Sequence, residues 1–185
     1  MRDRLELLKH TFALPTQAVA GMSDFYATLN ANLTPAWFYL SSSPYNLFPT
    51  LTEFVKKQFP RGQLLLREMN WQELDSFIIS VTVGTQQYKE KELANLMKNL
   101  PRRKWVFIGD STQKDPEAYA ATYRKHPEKV KKIWIKAVKG VNEREEKDLN
   151  SEARFAKAFE GVPKEVWRTF EEPGELEAEL DTLTG

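Results

Sequence analysis

Residues 104–119 read KWVFIGDSTQKDPEAY, and this stretch decides the fold class. Its apolar, aromatic-rich start predicts a buried strand over 104–108, which ends at Gly109. Asp115 and Pro116 then predict a helix start, because aspartate caps helices and proline is well tolerated in the first turn. A strand followed by a helix is the unit from which α/β folds are built.

The same alternation of strands and helices continues along the chain. We predict a largely parallel sheet, since parallel strands need helical crossovers. A helix over 46–58 is expected to bury Phe48, Leu51, Phe54 and Val55. Three further helices are predicted: one over 2–9, one of about ten residues that begins after Gly21, and one over 86–99. Further strands are predicted over 36–40, 64–66, 76–83 and 133–138.

Composition excludes several classes of protein. The chain has 185 residues, with 27 basic and 26 acidic side chains, so its net charge of +1 argues against a nucleic-acid binder. It has no cysteine and 2 histidines, which excludes disulfides, thiolate sites and a histidine-rich metal cage. No stretch approaches the roughly 20 apolar residues of a membrane span. We expect a cytoplasmic protein with only peripheral membrane contact.

Three parts of the chain differ in character. Residues 1–140 carry the strand and helix pattern and form the main predicted domain. Residues 141–152 are a charged connector. Residues 153–185 form a C-terminal tail with two short helical pieces around Trp167 and Phe170, and we expect it to pack back on the domain, because such short helices are marginal alone.

Polar side chains follow two of the predicted strands, where ligands bind in open parallel sheets. Ser41, Ser42 and Ser43 follow the strand at 36–40 and could hold phosphate oxygens. The alternative is an ordinary Ser/Pro turn that leads into the next helix.

Acidic side chains follow the strand at 104–108. If Asp110 is buried there, the charge of its carboxylate would need a nearby cation to offset the loss of solvation. Mg²⁺, which prefers oxygen ligands, would provide that cation. Asp115 is a second candidate ligand, although it could equally be a helix cap. Arg67 follows the strand at 64–66 and could meet a phosphate, whereas Lys89 is by itself one of 27 basic residues and most simply a surface lysine.

Several motifs, in this order, resemble a known family. They are FYLSSSPYNLFP at 38–49, LLLRE at 64–68, Tyr88-Lys89, RKWVFIGDS at 103–111 and DPEAY at 115–119. Together they resemble the fungal actin-patch-associated phosphatidate phosphatases of the haloacid dehalogenase superfamily, which share their lipid chemistry with lipins. The resemblance covers roughly residues 5–170 and implies that the domain at 1–140 is a partial phosphatase catalytic domain.

The resemblance implies a Rossmann-like sheet with helices on both faces and Mg²⁺-dependent hydrolysis of phosphatidate to diacylglycerol. By motif position, Ser41 would bind the transferred phosphoryl group and Lys89 would neutralise it. Asp110 would ligate Mg²⁺, and Asp115 would ligate it or hold the loop. The resemblance also implies a phospholipid substrate at a membrane surface and association with proteins of cortical actin patches.

One expected motif is missing. The family's nucleophile and general acid form an Asp-x-Asp motif at the end of a central strand, and residues 1–185 contain no such pair. By resemblance, that strand would lie between the strands at 36–40 and 104–108. We therefore expect a truncated or mis-started copy of the enzyme that is inactive alone. The two strand edges exposed by the missing strand would need an upstream segment as a partner, or would pair directly with each other. The alternative is a pseudo-phosphatase that binds anionic phospholipid without turnover.

Overall fold

The computed structural model describes residues 19–68, 84–140 and 143–183. The helix predicted at 2–9 and the strand predicted at 76–83 lie outside these residues. The α-helices and the strands of these residues, in chain order, are α1 (Met22–Leu33), β1 (Trp37–Pro44), α2 (Phe48–Gln58), β2 (Gly62–Arg67), α3 (Thr85–Asn99), β3 (Trp105–Asp110), α4 (Asp115–Lys125), β4 (Val130–Lys136), α5 (Glu143–Leu149), α6 (Glu152–Ala158), β5 (Trp167–Phe170) and α7 (Glu177–Leu180).

All strand pairs in the described residues are parallel. They form a two-stranded sheet, β1–β2, and a three-stranded sheet ordered β3–β4–β5. The predicted α/β class with a parallel, Rossmann-like arrangement is therefore confirmed. The strands at 36–40, 64–66, 104–108 and 133–138 are each found with shifted ends.

Helices cover both faces of the three-stranded sheet, as expected. Successive residues of a strand face opposite sides of the sheet, so the apolar side chains of β4 need a covering layer on each face. Ile133 and Ile135 pack with residues of α3, α4 and α6, whereas Trp134 packs with residues of α1 and of the chain beyond β5. All three side chains are fully buried.

Two local predictions were wrong, one in the C-terminal tail and one in α2. Trp167 and Phe170 lie in a strand, not in helical pieces, because β5 completes the sheet beside β4. The predicted charged connector at 141–152 includes the helix α5, which the prediction did not address. No residue of α2 is fully buried, so Phe48, Leu51, Phe54 and Val55 are only partly covered. The division of the chain at 140 and 152 stays a prediction.

A cavity separates the two sheets. Its volume is about 600 Å³. It is lined by every residue from 36 to 41, in and just before β1, and by every residue from 103 to 110, in and just before β3. Since side chains alternate between faces, a cavity that touches consecutive residues lies along the edge of each strand. In the described part of the chain, β1 pairs only with β2 and β3 only with β4, so these two edges do not pair directly.

No helix in the described residues is both long enough and apolar enough to cross a bilayer.

Candidate functional site

Four predicted site residues line the same cavity between the sheets. Ser41 comes from β1, Lys89 from α3, Asp110 from the end of β3, and Asp115 from the start of α4. The carboxyl ends of β1 and β3 therefore bring together side chains that are up to 74 residues apart in sequence, counted from Ser41 to Asp115.

Lys89 and Asp115 form a buried ion pair. The ammonium group contacts Oδ1 of Asp115, and only 5% and 7% of the two side chains are exposed. Lys89 is thus not a surface lysine. Asp115 also accepts a hydrogen bond from the backbone N–H of Asp110, at 3.2 Å. Its carboxylate thus ties α4 to α3 and to β3 and does not cap its own helix, so the helix-cap interpretation was wrong.

Burial controls the electrostatics of this pair. It raises the pKa of Asp115, and the nearby carboxylate of Asp110 raises it further, while Lys89 and the N–H of Asp110 act in the opposite direction. A buried carboxylate of this kind needs its cation, because an unpaired buried charge is strongly unfavourable. Lys89 and Asp115 therefore hold each other in place at the cavity wall.

Asp110 lies at the last position of β3 and is partly exposed. Its Oδ1 accepts hydrogen bonds from the backbone N–H of Thr112, at 2.7 Å, and from the Thr112 hydroxyl group. An aspartate that bonds the N–H two residues further on forms a common turn. The Asp-x-Thr spacing could have indicated this arrangement, although sequence reasoning missed Thr112.

The three serines have different environments. Ser41 donates a hydrogen bond to the hydroxyl of Ser43, at 3.0 Å, and accepts one from the Ser43 N–H, at 3.2 Å. The ladder with β2 is irregular between Ser41 and Pro44. Ser42 is buried and bonds the side chain of Gln113. The serines belong to β1 itself and are not a turn after it.

Ser42, Ser43 and Arg67 do not line the cavity. Arg67 lies at the end of β2, where it pairs with Pro44. A methyl group built on Gly84 would lie 3.5 Å from an Arg67 guanidinium nitrogen, so this side chain extends toward the start of α3. The predicted substrate-binding roles of these three residues stay predictions.

The acidic residues present fit a magnesium ion only in part. No cluster of three acidic or histidine side chains suited to a metal occurs within residues 19–68, 84–140 and 143–183. Mg²⁺ usually binds one or two carboxylates and takes its other ligands from water and substrate phosphate. Asp110 fits that pattern, while Asp115 is engaged by Lys89. The described residues therefore offer one carboxylate ligand, with a second close by.

Comparison with known proteins places these residues in a family. Residues 1–137 match the family described as "Phosphatidate phosphatase APP1, catalytic domain". The chain belongs to this family. All four cavity-lining site residues fall inside the matched range, whereas α5, α6, β5 and α7 lie beyond it.

Two curated fungal proteins are similar to the chain. Phosphatidate phosphatase APP1 of Saccharomyces cerevisiae is 27% identical over 136 residues, which are 72% of this chain and 22% of that protein. The uncharacterized protein C29B5.04c of Schizosaccharomyces pombe is 29% identical over 127 residues, which are 68% of this chain and 20% of that protein. The chain thus matches about a fifth of the length of each relative. No solved structure matches it.

Proposed function

We propose that this chain supplies the phosphate-binding and cation-binding groups of an Mg²⁺-dependent phosphatidate phosphatase, which hydrolyses phosphatidate to diacylglycerol and phosphate. The observation that supports this proposal is that Ser41, Lys89 and Asp110, from three separate segments, line one cavity. The substrate class rests on the name of the Saccharomyces cerevisiae relative.

The buried ammonium group of Lys89 would provide most of the electrostatic stabilisation of the phosphoryl group. Lys89 has little exposure to solvent, so its charge is weakly screened and would stabilise the equatorial oxygens of a transferring phosphoryl group. Asp115 would hold Lys89 in position. The hydroxyl of Ser41 would donate a hydrogen bond to a phosphate oxygen in place of Ser43. A bound Mg²⁺ near Asp110 would neutralise further negative charge on the phosphate.

The nucleophile would come from a strand that lies between β1 and β3. Within the described ranges, no strand pairs with the cavity-facing edge of β1 or of β3, and the backbone N–H and C=O groups of such edges need partners. An acyl chain offers no such partners, whereas a parallel strand pairs with both edges. The carboxyl end of that strand would lie beside Ser41 and Asp110, where an aspartate could attack the phosphorus atom.

The chemistry would proceed in two steps. The aspartate carboxylate forms a bond to phosphorus while the bond from phosphorus to the glycerol oxygen breaks, and a second carboxyl group protonates the departing oxygen. Water then attacks the aspartyl-phosphate, which releases inorganic phosphate and restores the carboxylate. Because residues 1–185 contain no Asp-x-Asp pair, the nucleophile must be added to this chain before turnover occurs.

Activity measurements test the missing nucleophile. Purified residues 1–185 should release no phosphate from phosphatidate in detergent micelles with Mg²⁺. The same chain extended by an in-frame upstream segment that carries an apolar run and Asp-x-Asp should be active, and replacing the first aspartate by asparagine should abolish that activity. Robust Mg²⁺-dependent release by residues 1–185 would overturn this part of the proposal.

Binding measurements test the site residues in the 185-residue chain. Inorganic phosphate with Mg²⁺, followed by calorimetry, should bind about tenfold or more weakly to Ser41→Ala and Lys89→Met variants than to the unaltered chain, since each removes a direct donor. Lys91→Ala is the matched control, because Lys91 is exposed on the same helix. Equal affinity of all four proteins would contradict the assigned site.

A pseudo-phosphatase is the second candidate function. The observation that favours it is the presence of the cavity residues in a sequence without Asp-x-Asp. In that case, vesicles that contain phosphatidate would bind the chain without release of phosphate, and Ser41→Ala or Lys89→Met would abolish binding. Activity of the upstream-extended chain would exclude this alternative.

A further inference from the structure

The loop after β3, residues Ser111–Gln113, is held by a side chain from outside the family match. Arg154 lies in α6, beyond the matched residues 1–137. Its guanidinium group donates to the carbonyl oxygen of Ser111, at 2.6 Å, and to that of Gln113, at 2.6 Å. Two of the three loop carbonyls are therefore fixed by one arginine.

Every donor of this guanidinium group has a partner. Nε and Nη2 donate to the two carboxylate oxygens of Glu117, each at 3.1 Å, and Nη1 also donates to the carbonyl of Leu149, at 2.8 Å. With the two loop contacts, all five guanidinium N–H groups are used. Only 13% of the side chain is exposed. Arginine is required here, because a lysine has three donors at a single point and no planar fork.

The fixed carbonyl groups determine which way the loop amides point. In a trans peptide the C=O and the next N–H point in opposite directions. Arg154 draws the carbonyl of Ser111 toward itself, so the N–H of Thr112 points away from it, and this N–H bonds the carboxylate of Asp110 at 2.7 Å. The orientation of Asp110 thus depends on Arg154 through a single peptide unit.

The other end of the loop reaches β1. Gln113, whose carbonyl bonds Arg154, accepts a hydrogen bond from Ser42 through its side chain, at 3.2 Å. The hydroxyl of Ser111 accepts a hydrogen bond from the N–H of Val138, at 3.1 Å, which anchors the loop to the chain after β4. Besides Arg154, the loop is therefore held by β1 on one side and by the chain after β4 on the other.

We propose that Arg154 is a positioning residue: it fixes the loop Ser111–Gln113 and thereby sets the orientation of the Asp110 carboxylate for Mg²⁺. The magnesium role of Asp110 rests on the proposed function, whereas the control of the loop by Arg154 does not. One residue beyond the family match accordingly supports the site.

Two variants and two measurements test this inference in the 185-residue chain. In Arg154→Lys and Arg154→Ala, amide hydrogen exchange at Thr112 and Val138 should accelerate about tenfold or more, while exchange at Ile133 in the sheet stays unchanged. Mg²⁺ affinity, measured by calorimetry with MgCl₂ alone, should fall about tenfold or more, as when the residue supporting a metal ligand is lost. Arg168→Ala is the matched control, since Arg168 bonds Glu179, far from the loop in sequence.

The outcomes separate the two proposals. Unchanged exchange at Thr112, or a uniform acceleration that includes Ile133, overturns the role of Arg154. Faster loop exchange with unaltered Mg²⁺ affinity overturns its role toward Asp110. If the unaltered chain binds no Mg²⁺, the cation site of the proposed function falls, and the exchange data still decide whether Arg154 fixes the loop.

Discussion

The hydroxyl group of Ser42 donates a hydrogen bond to Oε1 of Gln113, with 3.2 Å between the two oxygens. Ser42 belongs to β1 and Gln113 to the loop after β3, so this bond links the two sheets at their carboxyl ends. Phe38 and Trp105, whose ring centroids are 5.7 Å apart, link the same two strands nearer their amino ends. The cavity thus lies between two sheets that are joined at both ends.

Removal of the polar link should loosen the contact between the sheets. Gln113→Ala leaves the buried hydroxyl of Ser42 without its partner, so we expect a loss of about 1–3 kcal/mol in the free energy of unfolding. Urea denaturation measures it. Gln87→Ala is the control, because Gln87 is exposed on α3. Equal stability of the two variants would show that the link contributes nothing.

The buried ion pair predicts strong coupling between two residues. Lys89→Met leaves a buried carboxylate unpaired, and Asp115→Leu leaves a buried ammonium group unpaired, so each should cost about 3–5 kcal/mol. The double variant should be less destabilised than the sum of the two, because it leaves no unpaired charge. A double-mutant cycle by guanidinium denaturation measures this coupling, and simple additivity would contradict it.

Sequence patterns were sufficient for the elements that depend on local preferences. The strand at 104–108 was visible as an apolar run, and the helix at 86–99 as an amphipathic period that places Leu93 and Met97 in the core. The ends of the strands were less accurate, since residues such as Asp110 extend the ladder only because β4 lies alongside.

The features that the sequence did not reveal depend on contacts between distant parts of the chain. The four residues of β5 carry no pattern that distinguishes a strand from a helix, and their partner β4 ends 31 residues earlier, at Lys136. Lys89 was one of 27 basic residues, and only its burial against Asp115 sets it apart. Nothing near Gln113 or Arg154 in the sequence indicated that they would meet.

Gly109 is required for the close approach of β3 and α4. A methyl group at this position would lie 2.6 Å from Oδ2 of Asp115 and 2.7 Å from the ring of Tyr119. Gly109→Ala should therefore displace Asp115 and cost about 1–3 kcal/mol, as for other overpacked sites. Thermal unfolding measures the loss. Gly174→Ala is the matched control, because nothing lies within 4 Å of a methyl group there, and an equal effect of both substitutions would refute this explanation.

Glu179 predicts that the free energy of unfolding depends on pH. This residue lies on the face of the three-stranded sheet that carries Trp134. Its carboxylate accepts hydrogen bonds from Nε1 of Trp134, at 2.9 Å, and from Arg168, at 3.3 Å, and it pairs with Lys132. Burial alone would raise the pKa of Glu179, but these partners outweigh burial and lower the pKa below its ordinary value of 4.5. The folded state therefore binds the proton of Glu179 less readily than the unfolded state does.

A lowered pKa in the folded state means that the stabilisation is complete above the ordinary value and is lost as the pH falls through the lower, folded value. Glu179→Gln should cost about 1–3 kcal/mol at pH 7, since it removes hydrogen bonds to a charged group. The difference from the unaltered chain should shrink once the pH falls below 4.5. Urea denaturation across this range measures it, with Glu177→Gln, an exposed change in the same helix, as the control. A stability difference that does not vary with pH would show that the charge of Glu179 is not the source of the effect.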